Sequence, residues 1–144
     1  MTQSCGMNRP RVLLAEDHPG VAEALRRLLE PEFDVVAVVG DGRALLREEA
    51  VLRPDVIVTD IVMPELDGLA ATRALLARCP DSRVVLVTVH EDSGLMESGY
   101  AAGALGYVVK HRVSCDLVPA VRAALRGERY RGDGTACNQT LDTP

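Results

Sequence analysis

Five side chains of this sequence could do chemistry together: the acidic pair Glu16-Asp17, the carboxylate of Asp60, the hydroxyl of Thr88 and the ammonium of Lys110. Each follows a short apolar run. Val12-Leu13-Leu14-Ala15 precedes the acidic pair, Val56-Ile57-Val58-Thr59 precedes Asp60, Val84-Val85-Leu86-Val87 precedes Thr88, and Tyr107-Val108-Val109 precedes Lys110. Carboxylates about 4 Å apart repel by roughly 4 kcal/mol per pair at an effective dielectric of 20, so three acids gathered at one place call for positive charge among them. A hard cation that takes two carboxylates, a backbone carbonyl and several waters meets that need, which describes Mg²⁺. Lys110 supplies a second positive charge. The arrangement suits phosphoryl transfer to a carboxylate, with the moving group neutralised by Mg²⁺ and a lysine, hydrogen-bonded by a threonine hydroxyl and attacked by Asp60. Lys110 is also the only lysine among 16 basic residues, which points to a place where a compact ammonium is needed rather than a guanidinium.

For these residues to meet, the runs that carry them must be neighbouring strands ending at one edge. Five β-branched runs are expected as strands, near Val12 to Ala15, Phe33 to Val39, Val56 to Thr59, Val84 to Val89 and Tyr107 to Val109. Segments of helical period separate them. Ala22, Leu25, Leu28 and Leu29 form one apolar stripe that stops before Pro31. Asp41 caps a second helix that Pro54 limits, and Gly68 opens a third that ends near Cys79-Pro80. A fourth, around Leu95 to Ala102, is weakened by Gly94 and Gly99, each costing roughly 0.8 to 1 kcal/mol relative to Ala, and is expected to be the most mobile. A fifth runs from a Ser114 cap to Gly127, with Pro119 tolerable only near its start. Strands alternating with helices over short connections give an α/β fold with a parallel sheet covered on both faces. The residues after Gly127 show no apolar period and are read as a disordered tail.

Composition limits the alternatives. The 144 residues, 47% hydrophobic and 26% charged, suit one domain with an ordinary core. A formal charge of -5 and the lack of any basic face argue against direct nucleic-acid binding. Cys5, Cys79, Cys115 and Cys137 lack the short paired spacing of a zinc or redox site and read as reduced thiols in cytoplasm. Charge interrupts every apolar stretch short of the ~20 residues a membrane span requires.

The set Glu16-Asp17-His18, Asp60-x-x-Met63-Pro64-x-x-Asp67-Gly68, Thr88 and Gly106-Tyr107-Val108-Val109-Lys110 resembles the receiver domain of bacterial two-component response regulators. The match covers about residues 9 to 130, leaving 1–8 and 131–144 as flexible termini. Thr88-Val89-His90-Glu91-Asp92 and Gly127-Glu128-Arg129-Tyr130 look most like receivers of the LuxR-type (NarL/FixJ-like) subfamily, here without the helix-turn-helix domain. The resemblance implies a flavodoxin-like (βα)5 fold with strand order 2-1-3-4-5. It implies phosphoryl transfer from a sensor histidine kinase or phosphotransfer protein to Asp60. Mg²⁺ would sit on Asp17, Asp60 and the Val62 carbonyl, with Glu16 acting through water. Phosphorylation would draw the Thr88 hydroxyl inward, Tyr107 would follow, and the face of the fourth helix, fifth strand and fifth helix would be reshaped for an unknown downstream protein or for a phosphorylation-dependent homodimer.

Two features depart from the usual pattern. His111 follows Lys110 where many receivers have a cis proline. Val62 and His90, two residues beyond Asp60 and Thr88, occupy positions that modulate loss of the phosphoryl group in the family, and Val62 offers no polar side chain to guide water. Duller readings exist for each residue alone: a turn at Asp60 or Asp67-Gly68, strand packing for Thr88, a half-buried aromatic for Tyr107, a solvated cap for His18 or His90, and a solvated face for Arg122, Arg126, Arg129 and Arg131. The reading adopted is a stand-alone phospho-accepting switch rather than an enzyme acting on others. The alternative is a pseudo-receiver, an interaction module that keeps the fold without phosphorylation. A phosphatase of the haloacid dehalogenase type would want a second Asp at the position of Val62, and a dinucleotide site would want glycines where Glu16-Asp17-His18 stands.

Overall fold

The computed structural model describes residues 9–90 and 92–131. Strands and helices alternate as β1 (Arg11–Ala15), α1 (Pro19–Leu29), β2 (Asp34–Val39), α2 (Gly42–Leu52), β3 (Val56–Asp60), α3 (Gly68–Arg78), β4 (Val84–Thr88), α4 (Ser93–Ala101), β5 (Gly106–Val109) and α5 (Val113–Leu125), followed by a two-residue β6 (Tyr130–Arg131). All pairings are parallel, in the order β2-β1-β3-β4-β5-β6. The expected order is therefore present, extended by one strand.

Side-chain alternation along the strands splits the core in two. Val12, Leu14, Val56, Val58, Val85, Val87 and Val108 face α1 and α5, where they meet Leu25, Leu29, Leu117 and Val121. Leu13, Ala15, Ile57, Val84, Leu86 and Tyr107 face the other way, onto Leu45, Ala71, Leu75 and Tyr100. β3 and β4 are buried at every position, which is why they read as unbroken apolar runs, whereas β2 is a half-exposed edge.

One helix start follows the expected cap, and a second has a cap of the same kind that the sequence did not single out. Asp41 accepts from the Ala44 amide at 2.7 Å and Asp67 from the Ala70 amide at 2.8 Å. Arg53 closes α2 in the left-handed region, at φ 48°. α5 differs from expectation. It begins at Val113 with no side-chain cap, because a 3₁₀ turn over Lys110–Arg112 already winds the chain into it, and Ser114 lies inside. Pro119 sits at mid-helix rather than near the start. The peptide bonds are trans throughout the described residues.

The segment after Gly127 also differs. Tyr130 and Arg131 pair with Gly106 and Tyr107 as β6, and the Tyr130 amide donates to the Leu105 carbonyl at 2.6 Å. The remainder of the expected tail, residues 132–144, and the N-terminal residues 1–8 lie outside the described residues. Cys79 is a free thiol as expected, whereas Cys115 is disulfide-bonded, against the expectation of reduced thiols throughout. Among the described residues no helix is long and apolar enough to cross a membrane.

Candidate functional site

The parallel sheet delivers all four strand ends to one edge. The register sets Ala15 beside Thr59, Asp60 beside Val87, and Thr88 beside Val109, so Glu16-Asp17, Asp60, Thr88 and Lys110 emerge from adjacent strands. Strand β2, at the outer edge, contributes none of them.

The loop after Asp60 is held by backbone. The Gly68 amide donates to the Ile61 carbonyl at 2.7 Å, and a Cβ at Gly68 would lie 1.9 Å from the Asp60 carbonyl oxygen. Only a residue without a side chain lets α3 start this close to the end of β3. Asp60 is thereby fixed, 7% exposed, with its Oδ1 accepting from the Val62 amide at 3.3 Å.

Carboxylate oxygens of Glu16, Asp17 and Asp60 all lie within 4.8 Å of one another. Lys110 Nζ answers part of that charge, 2.9 Å from Asp60 Oδ2 and 2.8 Å from Glu16 Oε1. Burial is the largest single influence on the Lys110 ammonium and lowers its pKa. The hydrogen bond to Asp60 and the negative charges of Asp60 and Glu16 together outweigh it and leave the pKa above the ordinary lysine value. Lys110 is therefore charged at neutral pH.

Glu16 is nearly fully buried, 3% exposed. Its Oε2 accepts from the His18 amide at 3.1 Å. Its Oε1 is close to Lys110 Nζ in distance, but not in hydrogen-bond geometry, and remains a buried oxygen without a hydrogen bond. A buried carboxylate oxygen left in this condition beside two further carboxylates fits a hard cation or one of its waters. Asp17, by contrast, is exposed and available as a direct ligand.

Thr88 is fully buried, and its Oγ1 accepts from the His90 amide at 3.2 Å. Tyr107 is buried too, and its hydroxyl donates to the His90 carbonyl at 2.9 Å. His90 thus takes part through its backbone, linking the threonine to the tyrosine. Burial raises the Tyr107 pKa, with the charge of Asp92 adding to it. Val62 and Val89 expose their side chains at the rim. An apolar hollow lined by Val21, Ala24, Val89 and Val113 runs from this rim along α1.

Two groups that sequence reasoning left in solvent have partners. Arg122 makes two contacts to the Glu32 carboxylate and lowers its pKa. Arg129 and Arg131 lie 4.8 and 5.4 Å from the ring centre of Tyr100. The face formed by α4, β5 and α5 is accordingly covered in part by β6. The signal in the sequence was a tyrosine between two arginines, in a chain with only 3 Tyr and 1 Phe.

Comparison with known proteins is consistent with this geometry. A family model described as the response regulator receiver domain matches residues 12–122. The transcriptional regulatory protein DegU of Brevibacillus brevis is 34% identical over 90% of this chain and 56% of its own length. The chain thus spans a little over half the length of that curated relative. The structure of a LuxR-family two-component response regulator from Aurantimonas sp. SI85-9A1 superposes with a TM-score of 0.83 at 34% identity, covering 88% of this chain and 91% of that one. The isolated REC domain of RcsB from Salmonella enterica serovar Typhimurium, solved with phosphomimetic BeF3⁻, gives 0.81 at 25% identity, covering 88% and 95%.

Proposed function

Because the chain belongs to the response regulator receiver domain family, we propose that it is a phospho-accepting switch that takes a phosphoryl group on Asp60 from a sensor histidine kinase or phosphotransfer protein. The observation that carries this reading is the single cluster of Glu16, Asp17 and Asp60 around Lys110, with the buried Thr88 hydroxyl on the next strand. In the transfer, a carboxylate oxygen of Asp60 bonds to phosphorus while the bond from phosphorus to the donor histidine nitrogen breaks. Lys110 draws the phosphoryl oxygens and leaves Asp60 free to attack. Mg²⁺, held by Asp17, Asp60 and the Val62 carbonyl with Glu16 behind a water, would neutralise charge on the transferring group. The apolar hollow along α1 gives a donor protein a surface from which to reach Asp60.

In this reading the chain serves signalling in the cytoplasm and is no enzyme toward other substrates, beyond assisting its own phosphorylation and slow dephosphorylation. Residues 9–130 form the receiver unit. Occupancy of Asp60 by phosphate supplies a new acceptor for Thr88, and Tyr107 responds through the His90 backbone. Moving a two-state equilibrium from 1:99 to 99:1 takes about 5.5 kcal/mol, and charge-assisted hydrogen bonds contribute roughly 1.5 to 3 each, so two or three suffice. The intact acids, Thr88 and Lys110 speak against a phosphorylation-independent pseudo-receiver.

Intact-mass spectrometry after incubation with Mg²⁺ and acetyl phosphate tests the reading. A single phosphate adduct that requires Mg²⁺ and is lost in Asp60→Asn is the expected result. Failure with acetyl phosphate and with several kinases would return the chain to the pseudo-receiver class. The adduct's half-life in His90→Ala decides whether the His90 side chain modulates dephosphorylation, and an unchanged half-life removes it from that role.

A further inference from the structure

The last described residues are built into the molecule by strand alternation. Arg129 and Arg131, two apart, turn to α4 and place their guanidinium groups by the Tyr100 ring, and Arg131 also lies 3.9 Å from Glu97 of α4. Tyr130, between them, turns to α5, where its hydroxyl donates to Asp116 Oδ1 at 3.0 Å. Asp116 is 7% exposed and is held by Arg112 Nε at 3.1 Å on its other oxygen. The backbone is gripped as well: the Tyr130 carbonyl accepts from the Tyr100 hydroxyl, and the Tyr130 amide donates to Leu105.

Tyr100 also stands next to the contact that joins α4 to the sheet. A Cβ at Gly99 would lie 2.7 Å from Leu86 Cδ1 and 3.6 Å from Tyr107 Cδ2, so α4 rests on the Tyr107 ring with no intervening side chain. A continuous series of contacts therefore runs from Thr88 through the His90 backbone to Tyr107, across Gly99 to Tyr100, and on to Tyr130.

We propose that the α4–β5–α5 face is a docking groove whose occupant is this chain's own Arg129–Arg131 segment, and that the phosphorylation site controls how firmly the segment is held. The control rests on the receiver reading given above. The segment is docked in the structure with Tyr107 buried, and in the receiver reading a phosphoryl group that gives Thr88 a new acceptor holds Tyr107 in that buried position. Phosphorylation therefore tightens the docked strand, and a partner seeking this face has to displace an arginine-tyrosine-arginine strand. Coupling between two sites in one protein commonly amounts to about 5- to 150-fold in an equilibrium.

The experiment is residue-resolved amide exchange by NMR on the full chain, with and without Mg²⁺ and beryllofluoride, while ¹⁹F NMR reports the adduct at Asp60. The Tyr130 amide is expected to exchange at least about fivefold more slowly in the adduct. Tyr100→Phe keeps the ring but loses the bond to the Tyr130 carbonyl, and should exchange faster at Tyr130 and lose the response while still forming the adduct. Paired Arg129→Ala and Arg131→Ala, both at exposed positions, should do the same without disturbing the core. An adduct with unchanged or faster exchange at Tyr130 overturns the proposal and leaves the receiver reading standing. Absence of any adduct overturns both. Slower exchange only at rising protein concentration would assign the strand to a second copy and overturn docking within one chain.

Discussion

Asp60→Asn is expected to make the Mg²⁺-free protein slightly more stable, although it removes a residue with an ion pair. The reason lies in the distances. Asp60 stands within 4.8 Å of both other carboxylates, which at an effective dielectric of 20 means a repulsion of at least about 3.5 kcal/mol from each. Its attraction to Lys110 at 2.9 Å amounts to about 6 kcal/mol on the same scale. Two repulsions exceed one attraction by about 1 kcal/mol, and the neutral amide also escapes the cost of burying a charge. Asn can still accept from Lys110, and its volume is unchanged. A gain of about 1 kcal/mol corresponds to a Tm higher by about 2–4 °C for a chain of this size. Thermal unfolding in EDTA at low salt measures it directly. Adding Mg²⁺ should then raise the Tm of the native chain more than that of the variant, since the cation stabilises the state that binds it. A Tm that falls by more than about 2 °C in EDTA would show that the Lys110 pair outweighs the carboxylate repulsion, and the case for a cation-demanding cluster would fail.

Gly68→Ala places a Cβ 1.9 Å from the Asp60 carbonyl oxygen, so the loop must shift; a loss of about 2–3 kcal/mol in urea unfolding and slower phosphate uptake are expected. Normal uptake would show that the tight start of α3 does not position Asp60. Asp41→Ala removes the acceptor for the Ala44 amide and should cost about 1 kcal/mol without changing phosphate uptake. Thr88→Ala should accept phosphate yet leave the Tyr130 amide unresponsive, and a preserved response would take Thr88 out of the relay. For pH, burial raises the hydroxyl pKa of Tyr100 and Tyr107 above the ordinary tyrosine value. The folded protein thus holds these protons more tightly than the unfolded chain. Their contribution is fully present below the unfolded pKa of about 10 and is lost as pH rises through the higher folded values. Tm should therefore decline from about pH 10 upward, and less steeply in Tyr100→Phe.

Most of the scaffold was readable because burial on both faces leaves few ways to write a parallel strand. Val56-Ile57-Val58-Thr59 and Val84-Val85-Leu86-Val87 admit little but apolar and β-branched residues, and the polar residue that follows each run then marks the site. The Asp41 cap was readable for a similar reason, since a side-chain acceptor before an apolar period has one local use, whereas Asp67 read only as turn chemistry before Gly68. What stayed hidden depends on partners distant in sequence. Tyr130 becomes a strand residue because Leu105 and Asp116 are already in place, and two residues in a polar tail carry no periodicity of their own. Pro119 and the uncapped start of α5 were misjudged because the 3₁₀ turn at Lys110 shifts the beginning of the helix toward the N-terminus. That Glu16 turns inward beside Lys110 while Asp17 stays exposed was not legible, because two adjacent acids after a strand do not say which one the loop buries.

Lys110 has a practical consequence that follows from its being the only lysine. Reagents selective for side-chain amines have one target in the chain, and that target sits between Glu16 and Asp60. Reductive methylation with ¹³C-formaldehyde would give one side-chain signal, separable from the terminal amine by its titration. The chemical shift of that methyl would report the charge state of the whole pocket in a crude mixture or a living cell extract. The protein thus carries an intrinsic probe at the position where one would otherwise have to engineer it.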